Sequence, residues 1–270
     1  MNAVPSAGDS TLLTTSGPAA RREFEIRQIH FNDLWEALRL GIADWRACRT
    51  EVMVLAVLLP VAAIMLGAVT AAPNLLPFLF PVCAGLALLG PMVTLWFVAL
   101  SRERERSGVA SAEQAAAVFD SSRLNTIQSL GLLCIVLFLA WLAVAGVVYT
   151  HTLGQTGPAR GLEFFVRVFT TAAGWEMIVL GYLTGAAFAL VTLCIGLVSF
   201  PLALDQDVST WQAITVSARA VIRNPVVVLA WGFVVATLMA AGTVPALLGL
   251  SVVMPVLGHA TWHIYRRLVA

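Results

Sequence analysis

Two histidines near the end of the chain are the side chains whose types and spacing could most readily do chemistry. His259 and His263 are four residues apart, so a helix would place both imidazoles on one face. Two imidazoles can ligate a metal ion or flank a haem. They can equally hydrogen-bond to neighbouring groups, and two histidines without a third ligand are poor evidence for a metal. We therefore predict no metal and no cofactor, and we keep a haem-binding redox protein as the second alternative function.

A second set of polar groups follows the apolar stretch that ends near residue 203. All of these groups, like the two histidines, would lie at one end of the predicted membrane helices. We predict one cytoplasmic-side polar cluster formed by Asp205, Asp207, Arg219, Arg223, His259 and His263. Its role could be structural, through charge pairing between helices. It could also be a proton or ion relay or a site for an anionic headgroup. The structural role is favoured because no ionisable residue falls at mid-bilayer depth.

Sequence motifs that would indicate an enzyme are absent from the chain. There is no Walker A sequence, no GxSxG, no HExxH and no CxxCH for attached haem. The cysteines show no CxxC spacing, and three of the four fall in apolar runs, which is typical of small buried side chains. We therefore predict that the protein is not an enzyme.

The composition indicates which kind of fold must position these residues. Of 270 residues, 59% are hydrophobic and 11% are charged, whereas a soluble domain is about 45–50% apolar and about 25% charged. This excludes an ordinary soluble enzyme, a disordered chain and a collagen-like fibre. The net charge of +1 provides no basic surface for nucleic acid. The composition is that of a protein that crosses a lipid bilayer several times.

Four long stretches without a charged residue define the predicted spans. A spanning helix needs about 20 apolar residues, so the first and last stretches each hold two spans, divided at Pro- and Gly-containing turns. The fold class is therefore all-α, a polytopic membrane protein with six transmembrane helices. The domain would cover residues 27–270, after a disordered N-terminal tail over residues 1–26. The spans lie near residues 52–72, 78–100, 127–149, 177–203, 226–243 and 246–265.

The distribution of arginine predicts the orientation of these spans. All 16 basic residues are arginine, and 14 of them fall in the terminal regions or in the loops after the second and fourth spans. Only Arg160 and Arg167 fall on the other side. The positive-inside rule then places both termini in the cytoplasm of a bacterium, with the protein in the inner membrane.

Three cytoplasmic segments carry the same short helix-capping signature. An oxygen-bearing residue is followed three positions later by Glu or Gln and then by Ala, at Asp33, Ser111 and Ser209. The pattern predicts three interfacial helices, each preceding a transmembrane hairpin, although solvated linkers are the alternative. A fourth helix is predicted on the opposite surface, because Leu162, Phe165, Val166 and Phe169 would share one face.

The C-terminal half resembles an uncharacterised bacterial family of integral membrane proteins. The residues that carry the resemblance lie between 199 and 266: Ser199–Leu202, Asp205, Asp207-Val208, Arg219–Val221, Asn224-Pro225, Val256–His263 and Tyr265-Arg266. The resemblance implies a six-span inner-membrane protein without an established activity. Some members are loosely labelled as similar to subunit I of cytochrome c oxidase. That oxidase subunit resembles a twelve-span protein whose haems and copper need six histidines, whereas this chain has four. The label would therefore imply a partner of a respiratory complex and not the catalytic subunit.

These observations lead to a ranked set of functional hypotheses. The first is a non-catalytic accessory, scaffold or assembly component of a membrane complex. Its partners would be the lipid bilayer and another membrane protein or respiratory complex, with no nucleic acid. The alternative is a transporter or channel for a small solute, ion or lipid. That alternative predicts a polar cavity at mid-membrane, into which Thr94, Thr184 and Thr192 would project.

Overall fold

The computed structural model describes residues 24–120, 122–157, 161–243 and 248–269, and these residues are almost entirely helical. Most of the predicted N-terminal tail, residues 1–23, lies outside the described residues. In chain order the α-helices are α1 (Phe31–Cys48), α2 (Glu51–Ala71), α3 (Leu79–Gly85), α4 (Gly90–Val93), α5 (Leu95–Ser107), α6 (Ala112–Ala116), α7 (Leu124–His151), α8 (Leu162–Thr170), α9 (Ala172–Asp205), α10 (Thr210–Arg223), α11 (Pro225–Thr243) and α12 (Leu250–Leu268).

Four segments of the described chain are long and apolar enough to cross a bilayer: Leu75–Ser107, which contains α3, α4 and α5, then α7, α9 and α11. Each one covers a predicted span. Many of their large apolar side chains face outward, including Leu139, Val179, Tyr182 and Phe233. An outward apolar surface is what lipid contact requires. The other two predicted spans correspond to α2 and α12, which are not among the four, so the count of six stays a prediction.

The first of these segments is not one regular helix. Turns of 3-10 helix at Pro73–Phe78 and Leu86–Leu89 precede α3 and α4. Proline removes a backbone donor and clashes with the preceding turn, and Pro81 and Pro91 fall in this interrupted part. The indole Nε1 of Trp141, on α7, donates a hydrogen bond to the carbonyl of Pro81 at 2.7 Å. This hydrogen bond therefore attaches the interrupted segment to the neighbouring helix α7.

The capping signatures are confirmed at two of the three predicted positions. Ser111 and Ser209 each cap a helix, accepting hydrogen bonds from the amides of Gln114 and Gln212. At the first position the cap residue is His30, and Asp33 in the first turn accepts from the His30 amide at 2.7 Å. The second helix is shorter than the pattern predicts, because α6 has five residues and then continues as a 3-10 turn.

The predicted surface helix on the other side of the protein is present as α8. Phe164 and Val168 are buried against the bundle. The four residues of the predicted apolar face are exposed, namely Leu162, Phe165, Val166 and Phe169. An exposed apolar face beside the end of a span is typical of a helix that lies in the membrane interface.

Helix α1 packs closely on α12 and brings the two ends of the described chain together. A Cβ atom at Gly41 would lie 2.7 Å from the Val256 carbonyl oxygen and 2.8 Å from the Ala260 amide nitrogen, so only glycine allows this approach. Just before α1, Ile26 forms an antiparallel bridge with Val269. The side chain of Asn224 joins the same region to α10, accepting from the Ile29 amide at 2.9 Å and donating to the Arg27 carbonyl at 3.0 Å.

Candidate functional site

The carboxylate of Asp44 lies at the centre of a buried polar network. Asp44 is on the face of α1 that contains Leu34, Ala37 and Gly41, and this face is buried. Residues at these spacings share one side of a helix. The side chain of Asp44 is 8% exposed, so its charge must be balanced by protein groups, because an unpaired buried charge is very costly.

Three side chains from two other helices donate to Asp44. The Ser101 hydroxyl on α5 and the Nε2 atom of His263 on α12 both bond to Oδ2, the latter at 2.9 Å. The Arg104 guanidinium bonds to Oδ1. The Nδ1 atom of His259 lies 2.8 Å from Ser101 Oγ. Because the serine hydroxyl donates to Asp44, this imidazole nitrogen is the donor to Ser101. The network therefore connects α1, α5 and α12.

The electrostatics of the network favour an ionised Asp44. Burial raises the pKa of the carboxyl, whereas hydrogen bonds from His263 and Ser101 and the positive charge of His263 lower it, and the net result is a pKa below the ordinary value of 3.8. Asp44 therefore carries a negative charge at neutral pH, and its neighbours are arranged around that charge.

A second buried network lies next to the first. Arg102 Nε is 3.2 Å from Asp205 Oδ1, and the Tyr265 hydroxyl donates to Asp205 Oδ2 at 3.0 Å. Arg102 is 5% exposed, and Asp205 is 16% exposed. The pair connects the ends of α5 and α9, and Tyr265 adds α12. Consecutive residues of α5, Ser101 and Arg102, thus serve two separate networks.

An open pocket of about 410 Å³ lies outside the first network. It is lined by Asp44, Ser101, Arg104, Glu105, His263, Arg266 and Arg267. Two of its arginines are already paired, Arg266 with Glu105 at 3.0 Å and Arg267 with Asp33 at 3.2 Å. The indole of Trp262 also donates to Glu105 at 2.6 Å. The positive charges of the pocket are therefore largely neutralised by neighbouring carboxylates.

The six residues of the predicted polar cluster are divided among several contacts. His259 and His263 share the Asp44 network, and Asp205 belongs to the second network. Asp207 accepts a hydrogen bond from Ser122 at 3.1 Å. Arg219 and Arg223 are exposed on α10. The structure thus brings the two histidines together and holds Asp205 nearby, and the functional role of the six residues stays a prediction.

The sequence reasoning missed the three residues that complete the first network, namely Asp44, Ser101 and Arg104. One signal was available in α1. Asp44 follows Leu34, Ala37 and Gly41 at helical spacing, so it is an acidic residue on an otherwise apolar face. Such a residue needs a buried partner, and arginine and histidine elsewhere in the chain were candidates.

The described residues do not assemble a metal site. Within the parts of the chain that the structure describes, no group of three or more His, Cys, Asp or Glu side chains could hold a metal ion. In the structure one ring nitrogen of each histidine is engaged, Nδ1 of His259 by Ser101 and Nε2 of His263 by Asp44. The other ring nitrogen of His259, Nε2, is buried without a partner among the described residues.

The lowered pKa of Asp44 predicts a loss of stability in acid. A carboxyl whose pKa is lower in the folded state stabilises that state fully above its unfolded-state pKa, and the stabilisation is lost as the pH falls through the folded value. We expect the thermal unfolding temperature, measured in mild detergent, to decrease when the pH is lowered below about 4. Asp44→Asn should unfold at a lower temperature at neutral pH and change less with acidification. Equal acid sensitivity of the variant and the wild type would contradict this account.

A bundle of long, outwardly apolar helices with most of its ion pairs near one end defines the class of protein. It is a polytopic α-helical integral membrane protein. Residues 79–205 match the model of a family described as "Predicted integral membrane protein (DUF2189)". This confirms the resemblance to an uncharacterised family of integral membrane proteins. No curated protein and no solved structure matches the chain.

Proposed function

We propose that the protein is a non-catalytic accessory or assembly component of a membrane complex. The supporting observation is the burial of the side chains that could do chemistry. Ser101 is 1% exposed and His259 is fully buried, so very little of the hydroxyl and none of the imidazole of His259 is presented to a substrate, although Ser101 borders the open pocket. Both instead hold helices together through Asp44. The proposal includes a six-span arrangement in a bacterial inner membrane with both termini in the cytoplasm, as the arginine distribution predicts.

Two of the three threonines inside the spans give little support to the transport alternative. Thr94 Oγ1 donates to the Gly90 carbonyl at 2.8 Å, and Thr184 Oγ1 donates to the Leu180 carbonyl at 2.7 Å. Hydroxyls that donate to a carbonyl of their own helix have no free proton to offer to a solute. Thr192 is the exception, since its hydroxyl is buried without a partner among the described residues.

The test compares the amount of a native assembly in cells that carry different versions of the gene. The tagged protein is extracted in mild detergent, separated on a native gel, and the co-migrating subunits are identified. We expect the tagged protein to migrate in a complex larger than the protein alone. When the gene is deleted, we expect the other subunits of that complex to assemble in reduced amount. The wild-type gene and the variant Ser101→Ala should both restore it in proportion to the amount of folded protein, because the serine hydroxyl supports helix packing and performs no chemistry in this proposal.

Two results would oppose the proposal. One is a protein that migrates alone in every mild detergent while the levels of other membrane complexes do not respond to the deletion. The other is a Ser101→Ala protein that is present at normal amount and unfolds at the wild-type temperature, yet fails to restore the complex. That second result would indicate a catalytic serine instead.

A further inference from the structure

The outward face of α1 combines exposed apolar and basic side chains. Trp35 is 72% exposed and Phe31 is 58% exposed. Arg39 and Arg46 are exposed on the adjoining strip of the same helix. The opposite face of α1 is buried against α12, so this outward side has no partner among the described residues.

The outward face of α10 repeats the same combination. Trp211 is 76% exposed and Ile222 is 77% exposed. Arg219 and Arg223 are exposed beside them, and neither makes an ion pair or a hydrogen bond with any residue that the structure describes. Two large apolar residues left in contact with solvent next to unpaired cations indicate that something else covers this face.

The connection to α11 sets the depth of both helices in the membrane. α10 ends at Arg223, and α11, one of the four candidate spans, begins at Pro225. The end of α10 therefore lies where a span enters the bilayer. Asn224 bonds to the Ile29 amide and the Arg27 carbonyl, which holds the start of α1 at the same level. The outward face of α10 and the start of α1 are thus placed beside the lipid headgroups.

We propose that the outward faces of α1 and α10 bind the headgroups of anionic phospholipids in the surrounding bilayer. This lipid-binding surface comprises Trp35, Arg39 and Arg46 on α1 and Trp211, Arg219 and Arg223 on α10. Guanidinium groups form paired, charge-assisted hydrogen bonds with phosphate, and tryptophan prefers the boundary between headgroups and acyl chains. A neutral zwitterionic headgroup satisfies the tryptophans but not Arg219 and Arg223, which have no partner among the described residues, so the charge complementarity selects an anionic lipid. This surface does not depend on the accessory role proposed above.

The binding constants of two lipids with identical acyl chains provide the test. The full-length protein in mild detergent is titrated with phosphatidylglycerol or phosphatidylcholine, and bound lipid is quantified by native mass spectrometry. We expect tighter binding of phosphatidylglycerol. Each arginine near a membrane surface contributes roughly a fivefold change in affinity. Arg219→Gln should weaken phosphatidylglycerol binding by about that factor, and Arg219→Gln/Arg223→Gln should weaken it by ~25-fold, with phosphatidylcholine binding unchanged.

The matched control is Arg106→Gln, which removes one exposed arginine from the end of α5 and should leave both affinities unchanged. Only variants whose thermal unfolding temperature equals that of the wild type are compared, so that misfolding does not contribute to a loss of lipid binding. Equal affinity of the wild type for the two lipids would overturn the proposal. An equal loss of phosphatidylglycerol affinity in Arg106→Gln would also overturn it, because this would indicate a general effect of charge. So would an unchanged affinity in the double variant, which would indicate that a protein partner covers this face instead.

Discussion

Asp44→Asn is expected to lower the free energy of unfolding by about 3 kcal/mol. The substitution removes the negative charge that faces Arg104 and His263, and both groups are partly buried, at 34% and 15% side-chain exposure. Breaking a buried ion pair on one side leaves the other charge without compensation. In a protein of this size the loss corresponds to a fall of roughly 6–12 °C in the unfolding temperature, measured by circular dichroism in mild detergent.

The control for this prediction is Glu36→Gln on the same helix. Glu36 pairs with Arg39 at 3.7 Å across an exposed surface, and exposed ion pairs contribute about 0–1 kcal/mol. Both substitutions remove one negative charge from α1, so the comparison isolates burial. If the two variants lose the same stability, the Asp44 network does not hold the helices together as described.

Gly41→Ala is expected to cost about 1–3 kcal/mol. Alanine is ordinarily the better helix former, by about 1 kcal/mol. At this position, however, the added methyl group would meet backbone atoms of Val256 and Ala260 at less than 3.0 Å. Backbone atoms within a helix cannot rotate away as a side chain can, so α1 must move off α12. The same thermal unfolding measurement detects the loss.

Gly181→Ala supplies the opposite expectation within the same chain. Gly181 lies in α9, and nothing within 4 Å would touch a Cβ atom there. Alanine should therefore leave the stability unchanged or raise it slightly. A Gly41→Ala protein as stable as Gly181→Ala would show that the α1–α12 contact tolerates a wider spacing than the structure has.

The membrane helices were predictable because their signal is local. The span predicted near residues 226–243 corresponds to α11 at Pro225–Thr243, and the span near 127–149 lies within α7. A run of uncharged residues long enough to cross the bilayer is visible without knowledge of any contact. The interruption before α4 was signalled only partly: proline marks a break, but it does not determine the 3-10 turn that replaces the regular helix.

The polar site was less predictable, because its contacts depend on tertiary packing. Asp44 is separated by 57 residues from Ser101 and by 219 from His263, and no periodicity within one segment encodes such a pairing. The spacing of His259 and His263 in the sequence indicates a shared helix face, but no such pattern indicates the Asp44 carboxylate to which His263 bonds. Asp205 was placed correctly at the end of a span, yet its partner Arg102 had been counted only as an indicator of orientation.

The close seating of α1 on α12 imposes an order on the biogenesis of the protein. α1 is the first helix of the described chain to leave the ribosome, and the surface that it covers belongs to α12, which follows all the other described helices. Neither the Gly41 contact nor the bridge between Ile26 and Val269 can form until α12 has been synthesised. Until α12 has been made, Asp44 has no histidine partner, and a nascent chain that stops before α12 would leave this carboxylate without it.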